Sequence, residues 1–242
     1  MRLILALFLL ISATKAIAED MTVTYIAQTP ESASEVPALL KQHQVKYHTL
    51  QHVNWKSNYP YKPIAQFALA YTPSALLVSY RATEEGLIAN YTHDQDPVFK
   101  DACMELFIQP ENDSIYYNFE CNCLGYILMQ GGTTLRPRQE APEDILRNIK
   151  RWSSMGQMRV RGTKKPTSWE VALIIPYSSF FLHHIDSMNG RKAKANIYKC
   201  GGEKQYEHYV SWSPIKTRRP NFHVPQFFGQ LSFTASETNN HK

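Results

Sequence analysis

From Gln44 onward the chain alternates short apolar runs with turn residues, at a spacing of roughly 8 to 12 residues that is typical of an antiparallel all-β domain. Apolar residues occupy every second position from Trp169 to Ile175, as in a strand with one buried face. We therefore predict an antiparallel β-sandwich of two sheets, immunoglobulin-like or jelly-roll-like. The predicted strands cover residues 64–71, 74–83, 86–91, 103–109, 115–123, 168–175, 193–199, 205–212 and 228–233.

The sequence predicts little helix. One short helix is expected at 142–149, because Pro142 suits a first turn and Ile145 and Ile149 share one face.

The domain organisation is expected to be simple, because no internal repeat and no Gly/Ser linker interrupts the chain. Residues 19–43 are interpreted as an extended lead-in, 44–235 as a single β-sandwich domain and 236–242 as a disordered tail.

The first 18 residues have the pattern of a secretory signal peptide. Arg2 precedes an apolar run that ends at Ile11, and Ala16 and Ala18 are small residues suited to cleavage after Ala18. The apolar run is too short to cross a bilayer, so no membrane span is expected. We predict an exported protein that is periplasmic, at the cell surface or secreted.

Composition and charge narrow the class of protein. With 43% hydrophobic and 19% charged residues among 242, the chain has a folding composition, which excludes a disordered or low-complexity protein. Loss of the leader would lower the net charge from +5 to +3, and the basic pairs at 164–165 and 218–219 are short. Nucleic acid is therefore not expected as a partner. The oligomeric state stays open.

The four cysteines are Cys103, Cys121, Cys123 and Cys200, an even number that permits up to two disulfides in an oxidising compartment. On a strand Cys121 and Cys123 would point to the same face, a poor geometry for pairing with each other. The connectivity is open, and four small buried thiols without any bridge are an equal alternative. A zinc site fits the spacing less well than either.

No standard nucleophile or metalloprotease motif is present. Glu105 and Glu120 lie on consecutive predicted strands and could approach each other, as the two carboxyl groups of a glycoside hydrolase do at about 5 to 10 Å. Hydrogen-bonding groups on an outward sheet face are the favoured interpretation. The acidic loops at 94–96 and 111–113 could hold calcium, although turn chemistry explains them as well.

Several segments together resemble family 9 carbohydrate-binding modules. They are residues 99–108, 116–120, 169–176, 211–214 and 222–231, and the similarity runs from about Tyr47 to Phe233. Residues 53–55 and 196–202 are similar to the stand-alone, exported members of this family from Bacteroidetes.

This resemblance implies a sandwich of the DOMON-like superfamily that binds sugars without cleaving them. In the family, two tryptophans clamp a terminal sugar, polar side chains bind its hydroxyls and calcium ions stabilise loops. The matching clamp positions are Phe99 and Phe222, and the family's strand glutamate is Glu105. Two further polar positions of the family are replaced here by Asn118 and Arg219.

We therefore predict an exported, non-catalytic protein that binds an oligo- or polysaccharide and assists polysaccharide utilisation. No cofactor is expected with the exception of calcium, whose presence is open. Three alternatives remain: a sandwich whose Phe99 and Phe222 pack in the core without a sugar site, a glycoside hydrolase using Glu105 and Glu120, and a haem-binding or other interaction module. Trp212 is expected to be structural, and Trp55 is a candidate for an exposed sugar platform.

Overall fold

The computed structural model describes residues 18–234, so most of the predicted signal peptide and the whole predicted tail at 236–242 lie outside the described residues. Within this range no helix has both the length and the apolar character needed to cross a bilayer. The α-helices are α1 Val36–Gln42 and α2 Glu143–Asn148. The strands are β1 Asp20–Tyr25, β2 His48–Thr49, β3 His52–Val53, β4 Ile64–Tyr71, β5 Ala75–Glu84, β6 Ile88–Ala89, β7 Cys103–Gln109, β8 Tyr116–Asn122, β9 Ile127–Gly132, β10 Gln139–Glu140, β11 Lys150–Ser153, β12 Val160–Arg161, β13 Thr167–Pro176, β14 Lys192–Gly201, β15 His208–Ser211 and β16 Gly229–Phe233.

The strands form two layers, which confirms the predicted β-sandwich. The front layer has the order β10-β9-β8-β7-β14-β16-β1, and the back layer has the order β1-β4-β5-β13-β11. The two layers share β1, whose residues 20–23 pair with β16 and whose residues 24–25 pair with β4. Both pairings of β1 are parallel, whereas the other strand pairings of the described residues are antiparallel, as predicted.

The core lies between the layers and follows the period of two along each strand. In the front layer, alternate residues of β7 and β8 point inward, among them Met104, Leu106 and Phe119. In the back layer, β13 contributes Val171 and Leu173 to the same cluster. Because successive side chains of a strand point to opposite faces, the residues between them in the front layer face away from this core.

The outer faces of the two layers differ. On the outer face of the back layer, small and aliphatic side chains form a second apolar cluster. Helix α1 covers this cluster with Val36 and Leu40. The front layer instead turns polar and aromatic residues outward on β7, β8 and β14. The outer face of the front layer therefore brings polar and aromatic side chains together on adjacent strands.

Sequence patterns located most elements. The strands predicted at 64–71 and 103–109 have these bounds in the structure, and the predicted helix is α2. The segment 19–43 is not a separate extended lead-in, since it contains β1 and α1, which belong to the sandwich. The prediction of an extended segment was wrong there, although residues 20–23 of β1 do alternate between exposed and buried positions.

Candidate functional site

A pocket of about 660 Å³ opens on the outer face of the front layer. Its floor is formed by β7, β8 and β14, and its walls come from the turn at 98–100 and the segment 220–223. The lining residues are Phe99, Lys100, Glu105, Phe107, Glu120, Leu128, Gln130, Arg136, Cys200, Gly201, Gly202, Glu207, Tyr209, Pro220, Asn221, Phe222 and His223.

One wall is a single 3-10 turn, Val98–Lys100, that presents Phe99. Val98 is fully buried beneath it, whereas Phe99 is 43% exposed. The carboxylate of Asp101 anchors the turn by accepting hydrogen bonds from the backbone amides of Asn90 and Tyr91, at 2.8 and 3.0 Å. The aromatic ring is therefore held at the mouth of the pocket by a buried support.

Close packing beneath this wall requires a glycine. Gly201 has φ +116°, and a Cβ atom there would collide with the carbonyl oxygen of Asp101. Because only glycine adopts this conformation readily, the end of β14 can approach the turn that carries Phe99.

The opposite wall holds Phe222, which is half-buried. Its ring stacks on Tyr198 with the centroids 4.0 Å apart and an angle of 3° between the planes. The Tyr198 hydroxyl also donates to the backbone carbonyl of Phe222 at 3.1 Å. Neither Phe99 nor Phe222 lies between the layers, so the alternative in which both pack in the inter-layer core is wrong.

Two carboxyl groups lie on the floor. Glu105 on β7 and Glu120 on β8 are directly opposite each other in the sheet register, as expected from their strands. Both side chains are almost fully buried although both line the pocket. Burial raises the pKa of each carboxyl well above its usual range, because the charged form loses its hydration.

The partners of the two carboxyl groups differ. Glu105 Oε1 accepts a hydrogen bond from the Cys200 thiol at 3.0 Å. Glu120 Oε1 accepts one from the Asn118 amide at 3.0 Å, whereas Glu120 Oε2 is buried without a partner among the described residues. A buried polar atom without a partner is costly, and the Glu120 side chain that carries it lines the pocket.

The rim combines cationic and uncharged groups. The side chains of Lys100 and Arg136 are exposed at the mouth. His223 forms a hydrogen bond through Nδ1 with the Tyr116 hydroxyl at 2.9 Å. Burial, reinforced by Arg138 and Arg136, lowers the pKa of His223 to about 3, so its imidazole is neutral at ordinary pH.

The five predicted binding residues have different positions. Phe99, Glu105 and Phe222 line the same pocket. Asn118 lies behind it, where it donates to Glu120 and accepts from Arg138 at 3.0 Å. Arg219 does not line the pocket and is exposed, because the chain turns between this residue and Phe222.

The two tryptophans singled out from the sequence are both structural. Trp212 is buried and contacts Phe67 in the core, as predicted. Trp55 is only 8% exposed and donates from Nε1 to the Thr217 carbonyl at 2.9 Å. The interpretation of Trp55 as an exposed platform was therefore wrong.

Sequence reasoning missed several lining residues, notably Tyr209, Cys200 and His223. The period of two puts Cys200 on the same face of β14 as Tyr198, but only the pairing of β14 with β7 brings that face to the pocket. The positions of Tyr209 and His223 depend on the paths of β15 and the 220–223 segment, which no local pattern reports.

The two acidic loops considered for calcium use their carboxylates in turns and ion pairs. Asp94 Oδ1 accepts from the Ile127 amide at 3.0 Å and from Arg151 at 2.6 Å. Asp113 pairs with His183 at 2.9 Å, and Glu111 pairs with Arg191. Among residues 18–234, the group with three metal-type ligand atoms in proximity is a different one, formed by Cys103, Glu105 and Cys200.

Both a family profile and solved structures that match this chain belong to carbohydrate-binding proteins. The profile of carbohydrate-binding family 9 matches residues 34–233. A candidate carbohydrate-binding protein from Bacteroides uniformis, known from a crystal structure, is 42% identical with a TM-score of 0.86, over 90% of this chain and 100% of that one. A search of curated proteins found no match.

Two more distant structures share the fold. Both are family 9 modules from Caldicellulosiruptor kristjanssonii, one in complex with cellotriose and one with glucose. The first is 14% identical with a TM-score of 0.59, over 92% of this chain and 97% of that one. The second is 13% identical with a TM-score of 0.56, over 93% and 100% of the two chains.

Proposed function

The chain belongs to carbohydrate-binding family 9, and on that premise we propose that it binds a saccharide in the pocket on its front layer. Phe99 and Phe222 supply apolar surfaces on opposite walls, and Glu105 and Glu120 supply hydrogen-bonding groups on the floor. A pyranose has a face of C–H bonds and a rim of hydroxyls, so it complements such a pocket.

The observation that carries this proposal is the unpartnered Oε2 atom of Glu120. A carboxyl group whose pKa is raised can donate through its hydroxyl or accept at its carbonyl oxygen. A sugar hydroxyl does both as well, so it satisfies Glu120 in either role. Asn118 binds the other oxygen, Oε1, so that Oε2 is the atom left for a ligand.

A neutral glucose-type oligosaccharide is the first ligand to test, because two structures of the same fold hold cellotriose and glucose. The phenylalanine rings are smaller than tryptophan and lack its N–H group. We therefore expect weaker stacking per ring and a larger share of the affinity from the floor.

We propose that binding is not followed by hydrolysis. Cleavage of a glycosidic bond by two carboxyl groups requires one of them to be ionised, as base or nucleophile. Glu105 and Glu120 are both buried, with pKa values raised well above the ordinary range, so both favour the neutral form. Incubation with cellotriose should release no new reducing ends, and release abolished by Glu105→Gln would contradict this.

The binding test is a glycan array followed by calorimetric titration of the purified protein with cellotriose. Phe99→Ala should weaken binding about tenfold, since stacking and burial of one aromatic ring contribute roughly 1.4 kcal/mol. Met158→Ala is the matched control, because Met158 is an 83% exposed apolar side chain outside the pocket. No binding on the array, or equal binding by both variants, would overturn the proposed site.

We further propose that the protein is exported and assists polysaccharide use at the cell surface or in the periplasm. The leader pattern of residues 1–18 supports this proposal. N-terminal sequencing of the protein from its native host should begin at Glu19. An intact Met1 would contradict export through this leader.

A further inference from the structure

Strand alternation divides the four cysteines into two separate pairs. Cys121 and Cys123 lie in the core between the layers, whereas Cys103 and Cys200 lie on the outer face of the front layer. A β-sheet therefore separates the two pairs, so that no disulfide can join one pair to the other. Of the disulfides that the sequence left open, the strand geometry favours the one between Cys103 and Cys200.

Cys103 and Cys200 meet the geometric requirement. They are directly opposite each other in the antiparallel register of β7 and β14. Opposite residues of such a pair have Cβ atoms about 4.5 to 5.5 Å apart, close to the range that a disulfide spans. Their Sγ atoms and a carboxylate oxygen of Glu105 all lie within 4.8 Å of one another.

The thiol of Cys200 also connects two parts of the pocket. Its Sγ lies 3.0 Å from Glu105 Oε1 and 3.2 Å from the backbone carbonyl of Phe99, both of which can accept its hydrogen. The thiol has a single hydrogen, and Glu105 Oε1 is the nearer of its two acceptors, so the reduced thiol competes with a ligand for the carboxyl group on the floor. Oxidation would remove this donor.

We propose that Cys103 and Cys200 form a disulfide in the floor of the pocket, and that this bridge frees Glu105 to accept a hydroxyl of the bound saccharide. The second half of the inference rests on the proposed function, whereas the first half stands on the cysteine geometry alone. The oxidised protein then binds saccharide more tightly than the reduced protein.

The bridge forms by thiol–disulfide exchange with a small disulfide or a disulfide oxidoreductase. The Cys200 thiolate attacks one sulfur of the oxidant, which breaks the oxidant's S–S bond and releases one thiol. Cys103 then attacks Cys200 Sγ, so that the new S–S bond forms and the second thiol of the oxidant leaves. The two cysteine protons end on the released thiols, and the oxidant takes up the two electrons.

The timing follows from burial. Burial raises the pKa of Cys103 well above its ordinary range, so the thiolate is scarce in the folded protein. Exchange is therefore expected while the chain folds, before the wall that carries Phe99 closes over β7 and β14. An exported protein would fold under such oxidising conditions.

The first test is peptide mapping after refolding with oxidised and reduced glutathione. Free thiols are alkylated, and the protein is digested without reduction. The expected result is one linked pair of peptides that contains Cys103 and Cys200, with alkylated Cys121 and Cys123. Alkylation of all four cysteines would overturn the bridge. Protection by bound zinc that a chelator reverses would also overturn it, in favour of a metal site.

The second test compares cellotriose affinity in the oxidised and the reduced protein by calorimetry. We expect the oxidised protein to bind about fivefold more tightly, which corresponds to roughly 1 kcal/mol, the value of one competing hydrogen bond. The double variant Cys103→Ala with Cys200→Ala removes both thiols next to Glu105 and should bind tightly in either redox state. Cys103→Ala keeps the Cys200 thiol and should bind weakly in either state, whereas the control Cys123→Ala should keep the redox dependence.

The outcomes separate the two proposals. Equal affinity of the oxidised and reduced proteins would overturn the coupling between the bridge and the pocket. A linked peptide pair in a protein that binds no glycan in either state would support the bridge and overturn the proposed function.

Discussion

At the scale of single residues, Glu120 combines a fixed oxygen with a free one. Asn118 holds Oε1, and Oε2 has no partner within the described part of the chain. Binding sites often contain such groups. A hydrogen bond from a ligand to a buried, unpartnered atom contributes more binding free energy than one to an atom that is already hydrated. The cost of this arrangement should be measurable as a pH-dependent loss of stability.

We predict that Glu120→Gln stabilises the free protein at pH 7. The pKa of Glu120 is raised in the folded state, so the unfolded chain binds fewer protons once the pH exceeds the ordinary value of 4.5. The wild type therefore loses stability as the pH rises above this value, and the glutamine variant does not. A gain of about 1 kcal/mol would raise Tm by roughly 2 to 4 °C in a domain of this size.

Thermal unfolding of both proteins from pH 4 to 8 checks this prediction. The two Tm values should converge near pH 4, where the carboxyl group is protonated in both states. A variant less stable than the wild type at pH 7 would show that Glu120 is stabilised in its charged form.

His223 gives a prediction with the opposite sign. Its folded pKa of about 3 lies below the ordinary value of 6.5, so the unfolded chain binds a proton that the folded chain does not. The wild type should lose up to about 1.4 kcal/mol of stability per pH unit as the pH falls below 6.5. His223→Asn should lack this slope, which urea unfolding at pH 7 and pH 5 will reveal. Parallel slopes in both proteins would assign the acid sensitivity to another group.

Among the secondary-structure elements, those on the two outer faces of the sandwich have different roles, one in stability and the other in ligand binding. Helix α1 covers the back layer, and its residues Val36 and Leu40 are fully buried there. The front layer carries the pocket instead. Because the core separates these faces, stability and ligand binding should respond independently to changes in α1.

We predict that Leu40→Ala destabilises the protein by about 2 to 5 kcal/mol, the usual cost of removing a fully buried leucine side chain. Leu39→Ala is the matched control on the same helix, and it should cost less because Leu39 is only partly buried. Both variants should keep the wild-type affinity for cellotriose below their unfolding transition. A weakened affinity in Leu40→Ala would mean that the back layer is coupled to the pocket.

At the scale of the whole molecule, a buried ion pair links the two layers. Lys199 on β14 lies 3.0 Å from Glu84 on β5, and both side chains are fully buried. The Lys199 ammonium also donates to His208 Nε2 at 2.9 Å, and Trp169 donates to the second oxygen of Glu84 at 2.7 Å. Every charge in this network has a partner on the opposite layer or beside it.

We predict that Lys199→Met destabilises the protein by about 3 to 5 kcal/mol, because it leaves the Glu84 carboxylate buried without its cation. The double variant Glu84→Gln with Lys199→Met should recover a large part of this loss, since no unpaired charge remains. Urea denaturation of the single and double variants measures the coupling. Additive losses in the double variant would show that the ion pair itself contributes little.

Elements with a local pattern could be predicted from the amino-acid sequence. The period of two defined β4 and β7 with their bounds, and it placed Glu105 and Glu120 on neighbouring strands. Together with the segments that resemble family 9, it brought Phe99, Glu105 and Phe222 into one hypothesis. The strands were accessible because each depends on residues close together in the chain, whereas the grouping of Phe99 with Phe222 came from the resemblance to family 9.

Features that require contact between distant segments of the chain became known only from the tertiary structure. It placed β1 between β16 and β4, put Arg219 outside the pocket, buried Trp55 against Thr217 and set Cys200 opposite Cys103. Except for the local turn that separates Arg219 from Phe222, each of these facts joins residues far apart in the sequence. The free energy that fixes them comes from packing between elements, and no period within a single strand contains that information.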